Sequence, residues 1–192
     1  MNQVALIRSQ IYDFFQSSHA CQTHFFAPTR EEMYVAYYNS MYLLQDTTEA
    51  LITHRKRGFS KTEPLLSYLE FWGVLQAAII QQDVIAELSE AVAEQPFNAR
   101  SAGLSAWVEL RELRNICAGH PAKKDRPKLQ PTARSFMGRS FGNYECIVYE
   151  RWEQGGGTTH PTVKLGALMD TYALEAAAQL AGVLNSMQGR WP

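Results

Sequence analysis

Leu65–Ile80, LLSYLEFWGVLQAAII, is the stretch on which the fold turns. It is apolar almost all the way round a helical projection, as a helix must be when other helices surround it. Pro64 suits the first turn of such a helix, and the pattern carries it from near Thr62 to about Ala93. At roughly 100° per residue, Gln76, Asp83, Glu87 and Glu90 fall within one narrow arc. The second half of the central helix therefore presents a single polar stripe, turned toward solvent or toward a functional groove.

Working outward, Val4, Ile7, Ile11, Phe14 and Phe15 recur at spacings of three and four and predict a helix over roughly Gln3 to Gln16. HACQTHFFAP reads as a short aromatic loop. Thr29 and Glu32 after Pro28 form a capping-box signature, and the helix they open runs toward Gly58 with Met33, Ala36, Tyr37, Met41 and Leu44 inward. His54, Arg55, Lys56 and Arg57 place cations where the helix dipole favours them. Ser105 is a reasonable N-cap for AWVELRELRNICA, which stops at Gly119, His120 and Pro121. From 122 to 165 prolines, alternating NYECIVYERW and the glycines at 155–157 predict a basic linker and a small antiparallel hairpin. Strong helix formers return from about Ala167 to Met187. The expected class is all-α, or mainly α. One domain spans 1–192 as an antiparallel bundle of four or five helices, with the β-hairpin inserted at 122–165.

Composition narrows the function classes. A chain of 192 residues with 46% hydrophobic and 19% charged residues is long enough for one core and is neither a disordered tract nor a coiled-coil rod. No apolar run reaches the ~18 residues of a membrane span, and MNQVALIRSQIYDFFQ lacks a signal-peptide layout, so a cytoplasmic protein without membrane contact is expected. Cys21, Cys117 and Cys146 form no CxxC pair and read as reduced thiols. His19, Cys21 and His24 lack a fourth ligand, and the glycines at 155–157 lack the Lys-Ser/Thr of a phosphate loop. Neither a metal nor a cofactor is expected. Tyr34, Tyr37, Tyr38 and Tyr42 share a helix face suited to the core or a dimer interface, or to stacking bases. The net charge of −1 conceals one basic stretch: Lys123, Lys124, Arg126, Lys128, Arg134 and Arg139 stand against Asp125 alone. Such a footprint fits phosphate contacts, and it also fits a solvated loop.

The chemistry concentrates in LRELRNICAGHP, Leu110–Pro121. Helical projection puts Arg114 between Trp107 and the apolar cluster of Leu110, Leu113 and Cys117, away from Glu109, Glu112 and Asn115. A guanidinium there needs anionic or hydrogen-bonding company, from a carboxylate such as Asp83 or from an external phosphate. His120 follows six residues later, about 9 Å along a helix axis. An arginine that grips phosphate beside a histidine that titrates near neutrality is a workable RNA-cleaving pair, and it needs no metal. A structural ion pair at Arg114 and a loop role for His120 explain the same residues.

This segment resembles the R-x(4–6)-H motif of the HEPN superfamily, with Asn115 in the polar slot after Arg114. The resemblance covers roughly residues 1–121 and 167–188. It implies a homodimer whose two motifs face each other across a cleft, acting in many members as a metal-independent endoribonuclease of toxin, antiviral or RNA-processing systems. Arg114 would then contact the scissile phosphate, His120 would be the general acid/base and Asn115 would orient one of them. Lys123, Lys124, Arg126, Lys128, Arg134 and Arg139 would touch RNA phosphates beside the cleft. A subgroup of bacterial toxins carries a modified Tyr two residues after the His, where this chain has Ala122. A regulatory protein partner fits the same systems. Other members keep the fold as non-catalytic interaction modules, which is the competing reading, and an enclosed small-ligand pocket is a third.

Overall fold

The alternation of inward and outward residues every three or four positions becomes a set of helices in the computed structural model, which describes residues 1–119 and 133–192. Helix α1 (Asn2–Ser17) buries Val4, Ile7, Ile11 and Phe15. HACQTHF, expected as loop, forms the short helix α2 (His19–Phe25), because Ser18 accepts a hydrogen bond from the Cys21 amide at 3.2 Å and caps it. Its Cys21 and Phe25 point into the core. Helix α3 (Glu31–Arg57) starts two residues beyond Thr29, which lies in a 3-10 turn over Pro28–Arg30, and no side chain caps its start. The capping box therefore does not form. Helix α4 (Pro64–Ala93) has the predicted extent. Helix α5 (Ser105–Arg114) continues as a π-helical turn over Asn115–Gly119, and α6 (Leu165–Arg190) ends the fold.

The chain is mainly helical with a small antiparallel β component. A single hairpin was too simple an expectation for the β part. Strand β1 (Ala133–Phe136) pairs with β3 (Glu150–Glu153), which pairs with β4 (Gly157–Thr159); β2 (Ile147–Val148) pairs separately with β5 (Thr162–Val163). Ile147 and Tyr149 are both buried, and the chain passes from one small sheet to the other at Tyr149. That change of sheet is set by long-range pairing, which local alternation does not encode.

Helix α4 packs against α3, α5 and α6, as a central helix should. Its core, however, is not all hydrocarbon. Gln81 and Gln82 are fully buried. Gln81 donates to the Thr48 hydroxyl at 2.8 Å and accepts from the Tyr172 hydroxyl at 2.9 Å, joining α3, α4 and α6. Gln82 donates to the Trp107 carbonyl at 3.1 Å and ties α4 to α5. Conversely, the amino-terminal half of α4 is not surrounded: Leu65, Leu66 and Leu69 are exposed and Trp72 is partly so.

Ser105 is the first residue of α5 rather than its cap. The capping group comes from another helix: the Glu175 carboxylate of α6 accepts the Ala106 and Trp107 amides at 3.0 and 2.8 Å. It satisfies two orphan donors and complements the positive end of the helix dipole. A second carboxylate gathers charge at the end of α4. Glu94 follows α4 in the left-handed region at φ 55° and accepts from Arg30 at 2.9 Å and Arg190 at 2.7 Å. Arg190 also donates to the Val92 carbonyl, and Ser18 donates to the Trp191 carbonyl at 3.0 Å. Ordinary left-handed strain is thereby offset by two charge-assisted contacts.

Removing the tertiary cap, Glu175→Ala, should lower the unfolding free energy by about 1–2 kcal/mol in urea titrations, while Glu112→Ala on the exposed face should change it by less than about 0.5 kcal/mol. The hydrogen bonds from Arg30 and Arg190 hold the Glu94 carboxyl down to about 2 from an ordinary 4.5. A depressed carboxyl contributes stability above its unfolded-state value and loses it as the pH falls through the folded-state value. Glu94→Gln should thus be less stable than wild type near neutral pH, with the gap closing between about 4.5 and about 2 in denaturation curves run across that range.

Candidate functional site

The site that the sequence singles out lies along the seam between α4 and α5. These helices run antiparallel, because Trp107, Arg111, Arg114 and Cys117 bond to Gln82, Asp83, Gln76 and Trp72 respectively. Asp83 forms an ion pair, but with Arg111 and not with Arg114. The physical reason is register: Arg111 lies one helical turn nearer the Gln82 contact, so its guanidinium reaches the carboxylate first.

Arg114 is left with neutral partners. Its Nε and Nη2 donate to Gln76 Oε1 at 3.3 and 3.2 Å, and its Nη1 donates to Asn115 Oδ1 at 3.2 Å. Among the described residues it forms no ion pair. Nor is it sealed in the core: its side chain is half-buried, with Asn115 exposed beside it. The result is an oriented guanidinium that meets no carboxylate among the described residues. Asn115 accepts from one arm of it, and Gln76, from the polar stripe of α4, accepts through one oxygen from Nε and the other arm.

Immediately after Arg114 the backbone changes its hydrogen-bonding repeat. Asn115–Gly119 is π-helical, so residues five apart rather than four come into line. The Trp72 indole N–H donates to the Cys117 carbonyl at 3.1 Å and so anchors this turn to α4. Burial pushes the Cys117 thiol up to about 12, and Cys21 likewise, so neither is a reactive thiolate at neutral pH. All three cysteines are unpaired.

The remaining candidates separate. His120, Lys123, Lys124, Arg126 and Lys128 lie outside the described residues. Arg134 on β1 is exposed and stacks over Trp152, 5.6 Å from its ring centre, opposite it in the β1–β3 register. Arg139 is exposed on the loop between β1 and β2. Cys21 is core, while His24 stacks on Trp191 and faces Glu94 at 3.8 Å. Tyr37 is buried, whereas Tyr38 and Tyr42 form an outward pair with ring centres 4.8 Å apart. No three metal-ligating side chains cluster among the described residues, and no described helix is long and apolar enough to cross a membrane.

One feature of the site was not drawn from the sequence. Leu65, Leu69 and Trp72 follow one another at helical spacing and lead to Gln76, so an exposed apolar stripe runs along α4 up to the Arg114 contact. Contiguous exposed apolar surface of this kind marks a contact face. The 3–4 spacing was readable; that this flank of an all-apolar helix stays uncovered was not. Comparison of the chain with protein-family models, with curated proteins and with solved structures returned no match.

Trp72→Phe keeps the ring and removes the N–H that holds Cys117. It should cost about 0.5–1.5 kcal/mol and accelerate hydrogen exchange of amides 115–119 relative to those of 106–113, as resolved by mass spectrometry.

Proposed function

We propose that this protein is a HEPN-type helical-bundle domain that works as a homodimeric, metal-independent endoribonuclease, with Arg114, Asn115 and His120 as its catalytic set. The observation that carries the reading is the state of Arg114. Asp83, the nearby carboxylate among the described residues, is taken by Arg111, so Arg114 stands there outside any ion pair, half-buried and oriented by Gln76 and Asn115. A purely structural arginine in this seam gains more from a carboxylate than from two amide oxygens.

In this reading Arg114 grips the scissile phosphate and stabilises charge on the pentacoordinate phosphorus. His120 takes the proton from the ribose 2′-hydroxyl, the 2′-oxygen attacks phosphorus, and the bond to the 5′-oxygen breaks as that oxygen gains a proton. The products are a 2′,3′-cyclic phosphate and a 5′-hydroxyl. Arg134 and Arg139, with the basic residues of 123–128, add sequence-independent phosphate contacts. The stripe of Leu65, Leu69 and Trp72 is the face on which a second copy sits, and its continuity with Arg114 brings the two motifs to one cleft. That same stripe also favours the second reading, a dimerising interaction module without catalysis.

The test is cleavage of a mixed RNA pool in EDTA with end-group analysis. Wild type should yield 2′,3′-cyclic ends, His120→Ala should lose roughly 10²–10⁴-fold in rate and Arg114→Ala at least about 10²-fold, with both variants melting near the wild-type temperature. A folded wild-type dimer that leaves RNA intact gives the place to the interaction module.

A further inference from the structure

A cationic cleft lies at the amino-terminal end of α4, formed by segments far apart in the chain. Its volume is about 560 Å³, and it opens between the α3–α4 turn and the loop joining β1 to β2. That volume is within the usual range for small-molecule sites. Arg57 comes from the last turn of α3, Lys61 from the turn and Arg139 from the β loop; the lining contains one carboxylate, Glu145.

Arg57 is matched from behind by a carboxylate, which holds its guanidinium at the cleft wall and leaves Lys61 and Arg139 as the cations of the cleft without a described ion pair. Its Nη2 donates to Glu70 at 2.6 Å, and the Ser60 amide donates to the other Glu70 oxygen at 2.8 Å. The Glu70 side chain is only 8% exposed, so its carboxylate sits behind the cleft, whereas Arg57 is 61% exposed. Arg57 Nε and Nη1 have no partner among the described residues. Lys61 and Arg139 form no ion pair there either.

The walls are rigid before any ligand arrives. Behind them the Tyr144 hydroxyl meets His54 Nδ1 at 2.7 Å, and His54 Nε2 stands 3.8 Å from Glu70. Phe59 packs on Tyr144 at 4.8 Å and edge-on to Phe141 at 5.8 Å. The β loop is fixed by Asn143, whose Oδ1 accepts from the Glu145 and Cys146 amides. Gly142, at φ 116°, lies so close to the Cys146 carbonyl that a Cβ would be 1.9 Å from its oxygen. The tight turn thus excludes other residues there.

We propose that this cleft binds a phosphate-bearing ligand, with Arg57, Lys61 and Arg139 as the charged contacts. Three cations from three separate segments, two of them guanidinium forks, suit a phosphate better than a single carboxylate. The Asn143 amide N–H₂ and the Ser140 hydroxyl supply neutral donors, and the aromatic wall gives the rest of the ligand an apolar surface. The phosphate is supplied by a free nucleotide or by a unit of an RNA strand. The cleft is separate from Arg114: Ser67, the lining residue of α4 nearest to it, and Gln76 beside Arg114 are nine residues apart on α4, roughly 14 Å.

Binding of 5′-UMP, and of an uncleavable 2′-O-methyl RNA oligonucleotide, is measured at fixed salt by calorimetry. The full chain is compared with Lys61→Gln/Arg139→Gln and with Arg114→Ala. Both altered cleft residues are exposed and outside any described ion pair, so the double variant should melt as wild type does. Wild type is expected to bind, the double variant to weaken at least tenfold, and Arg114→Ala to keep its cleft binding. If UMP shows this pattern, the ligand is a free nucleotide. If only the oligonucleotide shows it, also in the Arg114→Ala background, the ligand is the strand. Absence of binding to both probes, or equal binding by the double variant, overturns the proposal. No step requires cleavage; because Arg139 is also a strand contact in the nuclease reading, Lys61→Gln alone must weaken binding for the cleft to stand independently of that reading.

Discussion

Two adjacent buried amides, Gln81 and Gln82, set the conditions for the rest of this fold. A primary amide taken out of water must find partners or cost the full desolvation of its polar atoms. Gln81 finds them on α3 and α6, through Thr48 and Tyr172; the Gln82 N–H₂ finds the Trp107 carbonyl on α5, while its Oε1 is buried without a partner among the described residues. Sliding any of these helices by a turn would break a bond in the driest part of the molecule. An all-aliphatic centre would bury as much surface but tolerate several registers. The polar pair makes one of them preferable.

That register decides the character of the candidate site. With Gln82 bound to the Trp107 carbonyl and Glu175 capping the start of α5, Arg111 comes to Asp83 and Arg114 comes to Gln76. The arginine left without a carboxylate among the described residues is therefore the one that precedes the π-helical turn. Local electrostatics alone would not make that choice, since either arginine side chain is long enough to seek the same aspartate. The choice follows from where the backbones lie.

The two charged closures of the molecule act in the same spirit at longer range. Glu94 gathers Arg30 and Arg190 around the end of α4, and Glu70 gathers Arg57, the Ser60 amide and His54 around its beginning. Burial pulls the His54 imidazole below its ordinary range despite the neighbouring Glu70, so it stays neutral near pH 7. Neutral His54 and the Tyr144 hydroxyl leave the Glu70 charge to be matched by Arg57, which is how a buried carboxylate comes to hold an arginine at the wall of an open cleft.

Much of this was legible in the residues themselves. The extents of α1, α4 and α6 and their inward faces follow from three-four periodicity, which is a property of neighbouring residues on one helix. The basic end of α3 was legible as well, in its run of four cations before Gly58. What escaped was every feature made by residues distant in sequence: the Glu175 cap in place of Ser105, the division of β strands between two sheets, and the partner of Asp83. The helix at HACQTHF escaped for another reason, since seven residues are too few for a periodic signal to stand out. The sequence by itself determined which segments become helices and which side chains carry the chemistry, because propensity and periodicity act along the chain. Only the tertiary structure decided which arginine pairs with Asp83, which apolar flank of α4 is exposed and which cations meet at the α3–α4 cleft, because those depend on how helices with no sequence proximity are set against one another.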